Sequence, residues 1–481
     1  MKRKISYSCL FLMLLFPSWT LAGDFGKDDP SGNPGEWYVG TNPAAAKQPI
    51  LFVHGLNSSS NTWWNENDMY DVAYRSGYKT AFIDLYPQKD MWANGALLAA
   101  KLKEIHDYFG GKVVVVAHSK GGIDTQSALV HYGADRYVSK VITLSSPHHG
   151  SQLADLAYSN WAGWLAAIIG SKNEATASLQ TGYMSQFRSQ TDGSSGMIPF
   201  YTMGGTSWGG FGGSLYWGGL YLSGYGSNDG AVTIASSRLP NAQEVAIGKW
   251  DHKTVKEGSS TFSIFQSLLS SSPTHDVGSR KESALKANTS SFIRGGEYTK
   301  HSKESFWVEV GAERINIDWL ATNVIEDVYL TSPDGEVTEL KPSGKDQGSY
   351  FNGAFHHVGT VENPIEGESK VSSLSKEPGA YLLNVGFTSP LNDDLGVTTT
   401  EKGVSIQSNM ISGVTQHTMF EFYPKGKTVS QSVKGIGAML NAGEGTYNLT
   451  TDIESDYKGK PFNRTIIQSV YLNQNGQIVK Q

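Results

Sequence analysis

The stretch from Lys112 to Asp124 constrains the fold of this chain most tightly. It contains four consecutive valines and is preceded by Gly110-Gly111. β-Branched residues that do not alternate with polar ones predict a strand buried on both faces of a parallel sheet. A short turn and a helical run from Ile123 to about His131 follow. The chain is therefore expected to fold around a buried strand that leads directly into a helix.

The turn after this strand carries a candidate nucleophile. Ala117-His118-Ser119-Lys120-Gly121 matches the pattern of a nucleophile elbow, with alanine in place of the first glycine. In such a turn a strained backbone holds the serine hydroxyl outside the sheet, and small neighbours allow strand and helix to approach closely. We predict that Ser119 is the nucleophile, although a serine pattern this short also occurs in ordinary turns.

Strands and helices alternate on both sides of this motif. Short apolar runs predict further strands, and Asn94 can cap a helix whose apolar residues recur at helical spacing up to Phe109. Repeated βα units predict a parallel sheet covered by helices on both faces, which is an α/β fold. The further strands are predicted at 49–53, 80–83, 138–144, 200–203 and 244–247.

Three motifs together resemble a known family. Phe52-Val53-His54-Gly55, the turn from Ala117 to Gly122, and Ser146-Pro147-His148-His149-Gly150 stand in the order seen in secreted bacterial triacylglycerol lipases of the α/β-hydrolase superfamily. The resemblance covers roughly residues 45 to 270. It implies a wall or structural role for His148 and His149. A zinc site at these two histidines is disfavoured, because no carboxylate stands at a matching spacing.

The resemblance also implies an oxyanion hole and the partners of the serine. One backbone N–H is expected from Leu56, after the strand that ends in His-Gly, and the other from Lys120; neither side chain is expected to matter.

The resemblance implies the partners of the serine as follows. Asp229, in an Asp-Gly turn, matches the acid of a catalytic triad, and His252 matches its base. The order Ser119, Asp229, His252 is the one this fold requires. Asp251 is a rival acid, disfavoured because a residue adjacent to His252 generally points elsewhere.

The region from 151 to 226 departs from the alternation of strands and helices. Its apolar helical stretch, residues 153–169, is too short to span a bilayer, and the resemblance suggests a lid or cap near 151–226 that contacts a lipid interface. Plain core packing is the alternative. The part from 204 to 226 is rich in Gly, Trp and Tyr and is predicted as a loop, either mobile or a rigid packing layer.

The two ends of the chain differ from its middle. Residues 1–22 have a basic start, an apolar run and a small residue at Ala22, which predicts a signal peptide and a secreted protein, extracellular or periplasmic. Cys9, the only cysteine, lies within this segment. The catalytic domain is predicted over 23–270 and a polar linker over 271–291. From 292 to 481 a period-two pattern predicts a β-sandwich accessory domain of one or two units, either a binding module or a packing partner.

The predicted function is hydrolysis of carboxylic esters, in particular lipids, by a secreted serine hydrolase. A phospholipase, a polyester depolymerase or an amidase would use the same residues, and an inactive surface-binding protein is the alternative from another class. With 39 basic and 45 acidic residues, net charge −6, the surface does not favour nucleic acid. No cofactor or transmembrane segment is predicted. The resemblance leaves room for a structural calcium ion, whose ligands the sequence does not identify, and the oligomeric state is open.

Overall fold

The computed structural model describes residues 32–43, 47–193, 198–271, 287–348, 350–400, 403–427, 431–433 and 442–479. The predicted signal peptide, with Cys9, and most of the predicted linker lie outside the described residues. Within the described ranges, no helix is both long and apolar enough to cross a membrane.

The first half of the chain forms a seven-stranded sheet. Its spatial order is β1-β3-β2-β4-β5-β6-β7, in which β1 runs antiparallel to β3 and all other neighbours are parallel. The fold class predicted for this half is therefore confirmed. The strands are β1 (Trp37–Val39), β2 (Lys47–Val53), β3 (Tyr78–Ile83), β4 (Val113–His118), β5 (Val138–Leu144), β6 (Phe200–Gly205) and β7 (Gln243–Gly248).

The valine strand β4 lies at the centre of this sheet and is buried on both faces. Val113 and Val115 pack into the apolar core on one side, and Val114 and Val116 into the core on the other. All four side chains are fully buried. Burial of each contributes about 1.5–3 kcal/mol relative to exposure, so the absence of alternation in the sequence reflects two separate cores.

Helices cover both faces of the sheet and fill the region between β5 and β7. The described α-helices of this half are α1 (Met69–Arg75), α2 (Met91–Phe109), α3 (Lys120–His131), α4 (Gln152–Ala157), α5 (Gly163–Ile168), α6 (Glu174–Ser178), α7 (Thr181–Thr191), α8 (Ser214–Ser223), α9 (Ile234–Ser237) and α10 (Gly258–Ser270).

Two local predictions in this half are wrong. The cap of α2 is Asp90, whose carboxylate accepts hydrogen bonds from the backbone N–H groups of Trp92 and Ala93, whereas Asn94 lies inside the helix with its side chain buried. The glycine-rich and aromatic stretch predicted as a loop contains helix α8. Its rings pack edge to face against one another, and this packing stabilises a helix that glycine alone disfavours.

The second half of the chain is built from antiparallel sheets, as its period-two pattern predicts. Five strands in the order β13-β14-β10-β16-β8 and four in the order β12-β11-β15-β9 enclose an apolar core that includes Trp319. A four-stranded sheet, β20-β19-β21-β22, and the ribbon β17-β18 follow. The elements are β8 (Ser291–Tyr298), β9 (His301–Val308), β10 (Arg314–Ala321), β11 (Asp327–Thr331), β12 (Val337–Glu339), β13 (Lys341–Lys345), β14 (Phe355–Glu362), β15 (Gly367–Leu374), β16 (Gly379–Thr388), α11 (Leu391–Asp394), β17 (Gly396–Thr400), β18 (Gly403–Gln407), β19 (Ile411–Pro424), β20 (Gln431–Val433), β21 (Gly445–Tyr457) and β22 (Lys460–Leu472).

The antiparallel half packs on the helices between β5 and β6. Asn448 donates a hydrogen bond to the Asp155 carbonyl (2.8 Å), and Tyr423 donates one to the Tyr158 carbonyl (3.0 Å). At Gly182 a Cβ would lie 2.6 Å from backbone atoms of Val470, so glycine is required there for the close approach of α7 to β22. Apolar side chains of both halves form one continuous core.

Candidate active site

The candidate nucleophile lies on a sharp turn between β4 and α3. Ser119 has φ +53° and ψ −132°, a conformation that residues with a side chain rarely adopt. Its backbone N–H donates to the Leu144 carbonyl (3.0 Å), and its carbonyl accepts from the Gly122 N–H (3.1 Å). These bonds hold the strained residue in place, with its side chain at the carboxyl edge of the sheet.

Two glycines allow the first loop and the turn to touch. A Cβ on Gly55 would lie 2.7 Å from the Ser119 Cβ, and one on Gly121 would lie 2.3 Å from the His54 carbonyl oxygen. No ordinary side chain fits at either position. The His-Gly loop and the serine turn are therefore in direct contact, and Leu56 and Lys120 follow the contacting residues in sequence.

The two predicted partners of the serine lie beside it. His252 Nε2 is 3.0 Å from Ser119 Oγ, and His252 Nδ1 is 2.7 Å from Asp229 Oδ2. The other carboxylate oxygen of Asp229 accepts from the N–H groups of Ala231 (3.0 Å) and Val232 (2.7 Å). Asp229 is fully buried, whereas Ser119 and His252 are each 7% exposed. The arrangement can pass the hydroxyl proton to the imidazole while the carboxylate fixes the tautomer of the ring.

The rival acid, Asp251, does not contact His252 through its carboxylate but caps a turn. Asp251 Oδ1 accepts from the backbone N–H groups of Lys253 (3.0 Å) and Thr254 (2.8 Å) in the turn that follows His252.

His118 is a further residue of the site, which the sequence did not single out. Its Nε2 lies 2.8 Å from the His252 carbonyl oxygen, and its ring lies against the His252 ring. Burial lowers the pKa of His118 well below its usual value, so the ring is neutral and its Nε2–H donates this bond.

The adjacent histidines after β5 are buried beside the sheet. His148 Nε2 lies 3.3 Å from Thr143 Oγ1, and burial lowers the pKa of His148 well below its usual value. The backbone N–H of His149 donates to the Ser236 carbonyl (3.2 Å). In the part of the chain that the structure describes, no three His, Cys, Asp or Glu side chains converge in a way that could hold a metal ion.

A loop of the antiparallel half covers the helices next to the site. Tyr350 and Phe351, between β13 and β14, are buried in the same apolar cluster as Leu56, Ile123 and Leu153. In the same region the Ser151 hydroxyl donates to the Ala231 carbonyl next to the acid turn (2.8 Å). Sequence patterns did not identify this loop, because its partners lie about 200 residues earlier in the chain.

One family model matches a part of the first half of the chain. Residues 95–161 match the family model described as a PGAP1-like alpha/beta domain. No curated protein sequence matches the chain.

Solved structures of lipases and esterases match much more of the chain. Bacillus licheniformis lipase BlEst2 in its propeptide form is 44% identical, with a TM-score of 0.84, over 93% of this chain and 99% of that one. The mature form of the same lipase is 57% identical over 50% of this chain and 99% of that one, with a TM-score of 0.47. The metagenomic carboxyl esterase MGS0156 is 20% identical over 49% and 76% of the two chains, with a TM-score of 0.35. From the first of these matches, the chain belongs to the bacterial lipase and esterase family of the α/β-hydrolase superfamily and is a carboxylic ester hydrolase.

Proposed function

We propose that Ser119, His252 and Asp229 form the catalytic triad of this ester hydrolase. The observation that carries the proposal is the pair of short contacts from the two nitrogens of His252 to Ser119 Oγ (3.0 Å) and Asp229 Oδ2 (2.7 Å). Ser119 attacks the ester carbonyl, and His252 takes the hydroxyl proton and returns it to the leaving alcohol. The backbone N–H groups of Leu56 and Lys120 stabilise the oxyanion, and water then hydrolyses the acyl-enzyme.

We further propose that the substrates are lipid esters and that the protein is secreted. Support for the lipid substrate comes from the apolar cluster around Leu56, Ile123, Leu153 and Leu156, and from the lipase relative. Support for secretion comes from the basic start and apolar run of residues 1–22. The proposed reaction uses no cofactor.

The triad is tested with Ser119→Ala. The wild-type chain is expected to release a burst of p-nitrophenol from p-nitrophenyl butyrate and to hydrolyse emulsified tributyrin, and Ser119→Ala is expected to lose at least about 10³-fold in both. Ser159→Ala is the matched control, because Ser159 is also buried but its hydroxyl bonds only to the nearby backbone of Leu156 and Ala162. Retention of the burst by Ser119→Ala would show that another residue is the nucleophile.

We also propose that the antiparallel half is a propeptide that keeps the enzyme partly latent, so that the full chain hydrolyses esters but slowly. The matching structure of the Bacillus lipase is described as a propeptide form. In this chain the candidate nucleophile is only 7% exposed, and Tyr350 and Phe351 fill the apolar cluster to which Leu56 and Ile123 belong. An acyl chain that approaches Ser119 along this cluster would compete with these two aromatic side chains.

Latency is tested in the full chain with Tyr350→Ala and Phe351→Ala. Each variant is expected to raise the rate of p-nitrophenyl butyrate hydrolysis several-fold, because it opens space beside the site. Trp307→Ala is the control, since this aromatic residue is 36% exposed on the same sandwich. Unchanged rates in both variants, with the fold retained by circular dichroism, would show that this loop does not limit access.

A further inference from the structure

The two proposed oxyanion donors lie on different segments of the chain, and their spacing must be fixed. The N–H of Leu56 lies in the loop after β2, and that of Lys120 in the first turn of α3. Catalysis by such donors depends on geometry set before the reaction, because the donors act only when aimed at the developing charge. Side chains that link the two segments would therefore affect the rate.

The link begins with the Lys120 side chain. Lys120 Nζ forms an ion pair with Asp124 Oδ1 (2.6 Å) one turn further along α3, and both side chains are no more than 3% exposed. The second oxygen, Asp124 Oδ2, accepts from Asn94 Nδ2 of helix α2 (3.0 Å). The residue that supplies one donor is thus attached through its side chain to a neighbouring helix.

Asn94 continues the link to the loop after β3. Its amide nitrogen donates to the Tyr86 carbonyl (3.0 Å), and its amide oxygen accepts from the Tyr86 N–H (3.0 Å). The adjacent Leu85 N–H donates to His54 Nε2 (2.9 Å). Because Nε2 accepts, the imidazole proton of neutral His54 is on Nδ1, which donates to the Gly55 carbonyl (2.8 Å).

The loop after β3 also bonds to the residue that follows Leu56. The Asn57 N–H donates to the Pro87 carbonyl (3.1 Å). Leu56 is therefore flanked by two attachments to residues 85–87, one through His54 and one through Asn57. His54, Asn94, Lys120 and Asp124 are each at most 2% exposed, so water does not compete for these bonds.

We infer that Lys120, Asp124, Asn94 and His54 are positioning residues that hold the Leu56 and Lys120 N–H groups at a fixed spacing in the oxyanion hole. This inference rests on the proposed function of Ser119. It assigns a role to the Lys120 side chain, which the sequence led us to regard as unimportant. None of the four side chains needs to touch the substrate for this role.

The test compares an ester with its thionoester, in which sulfur replaces the carbonyl oxygen. Sulfur accepts hydrogen bonds weakly, so hydrolysis of the thionoester gains less from the oxyanion donors than hydrolysis of the oxygen ester. A misplaced donor is expected to lower kcat for p-nitrophenyl butyrate about ten-fold, with KM little changed, and to shrink the oxo-to-thiono rate ratio by a similar factor. Loss of folded protein would lower both rates equally and leave the ratio unchanged.

Two variants cut the link at different points in the full chain. The double variant Lys120→Met with Asp124→Leu replaces a buried ion pair by apolar side chains, a change that proteins often tolerate. Asn94→Leu removes the bonds to Asp124 and Tyr86 without altering α3. Lys140→Met is the control, because Lys140 is 1% exposed and donates to the Leu268 and Ser271 carbonyls at the end of α10, outside the link.

Each outcome has one meaning. A reduced ratio in both link variants, with a normal ratio in Lys140→Met, would support the inference. A wild-type ratio and kcat in folded link variants would overturn it while leaving the triad proposal intact. Ser119→Ala separates the two proposals, because hydrolysis that survives this change would refute the nucleophile itself.

Discussion

Ser119 has a backbone conformation that costs on the order of 1–3 kcal/mol, and the surrounding residues must offset that cost. The turn is held by the hydrogen bonds to Leu144 and from Gly122 and by direct contact with the His-Gly loop at Gly55. The same conformation points the hydroxyl toward His252. Strain at this residue is therefore tied to the geometry that the proposed reaction needs.

At Asp229, the atom that faces His252 Nδ1 determines which nitrogen of the imidazole carries the proton. In Asp229→Asn we expect the amide oxygen to keep the bonds from Ala231 and Val232, so that the amide nitrogen faces His252 Nδ1. The proton would then be on His252 Nε2, which could not accept the one from Ser119. Steady-state kinetics should show a loss of about 10⁴-fold in kcat.

Asp251→Asn is the control for this prediction. Its carboxylate caps a turn, and an amide oxygen can accept the same bonds from Lys253 and Thr254, so kcat should stay within about three-fold of wild type. A large loss in Asp251→Asn together with a small one in Asp229→Asn would reverse the assignment of the acid.

At the scale of elements, local sequence patterns predicted the strands of the sheet, whereas the roles of side chains that bond to distant residues could not be predicted. The valine strand and the helix after Ser119 follow from residues that are adjacent in sequence, and the structure has both. Asn94 resembled a helix cap, but Asp90 stands four residues earlier and caps the helix, which leaves Asn94 to bond with Asp124. A partner 30 residues away leaves no local pattern from which this role could be predicted.

The antiparallel half shows the same limit on prediction. The period-two pattern indicated strands in this half but not their lengths, and the observed strands β19, β21 and β22 have 14, 13 and 13 residues. These long strands are held by cross-strand hydrogen bonds, with one register shift between Ser412 and Thr415, and composition does not reveal such pairing. The packing of Tyr350 in one cluster with Leu56 and Leu153 was out of reach for the same reason.

On the scale of the whole molecule, a buried charged cluster lies where the antiparallel half meets the hydrolase half. His356 Nδ1 is 2.9 Å from Asp318, and His356 Nε2 is 3.0 Å from Asp346, the residue that begins the Tyr350 loop. The ring also stacks on Trp217 of α8, across the boundary between the halves. The loop is closed by the Asp346 N–H, which donates to the Ala354 carbonyl (2.7 Å). The cluster therefore connects the covering loop to both halves.

The charge of His356 makes this connection dependent on pH. Burial alone would lower its pKa, but the carboxylates of Asp318 and Asp346 outweigh burial and raise it to about 10. A folded pKa above the unfolded value of about 6.5 means that His356 stabilises the fold most below pH 6.5. This contribution falls as the pH rises toward 10. His357, the other titratable neighbour, has a pKa that burial lowers, so it is neutral throughout this range.

We therefore expect His356→Gln to destabilise the full chain by on the order of 3 kcal/mol at pH 6.5 and by much less at pH 10. Urea unfolding followed by tryptophan fluorescence at both pH values measures the difference from wild type. His301→Gln, at an exposed position on β9, should show no such change with pH. If the wild type and His356→Gln differed equally at both pH values, the imidazole would be neutral in the folded protein, and the ion cluster would not hold the Tyr350 loop by its charge.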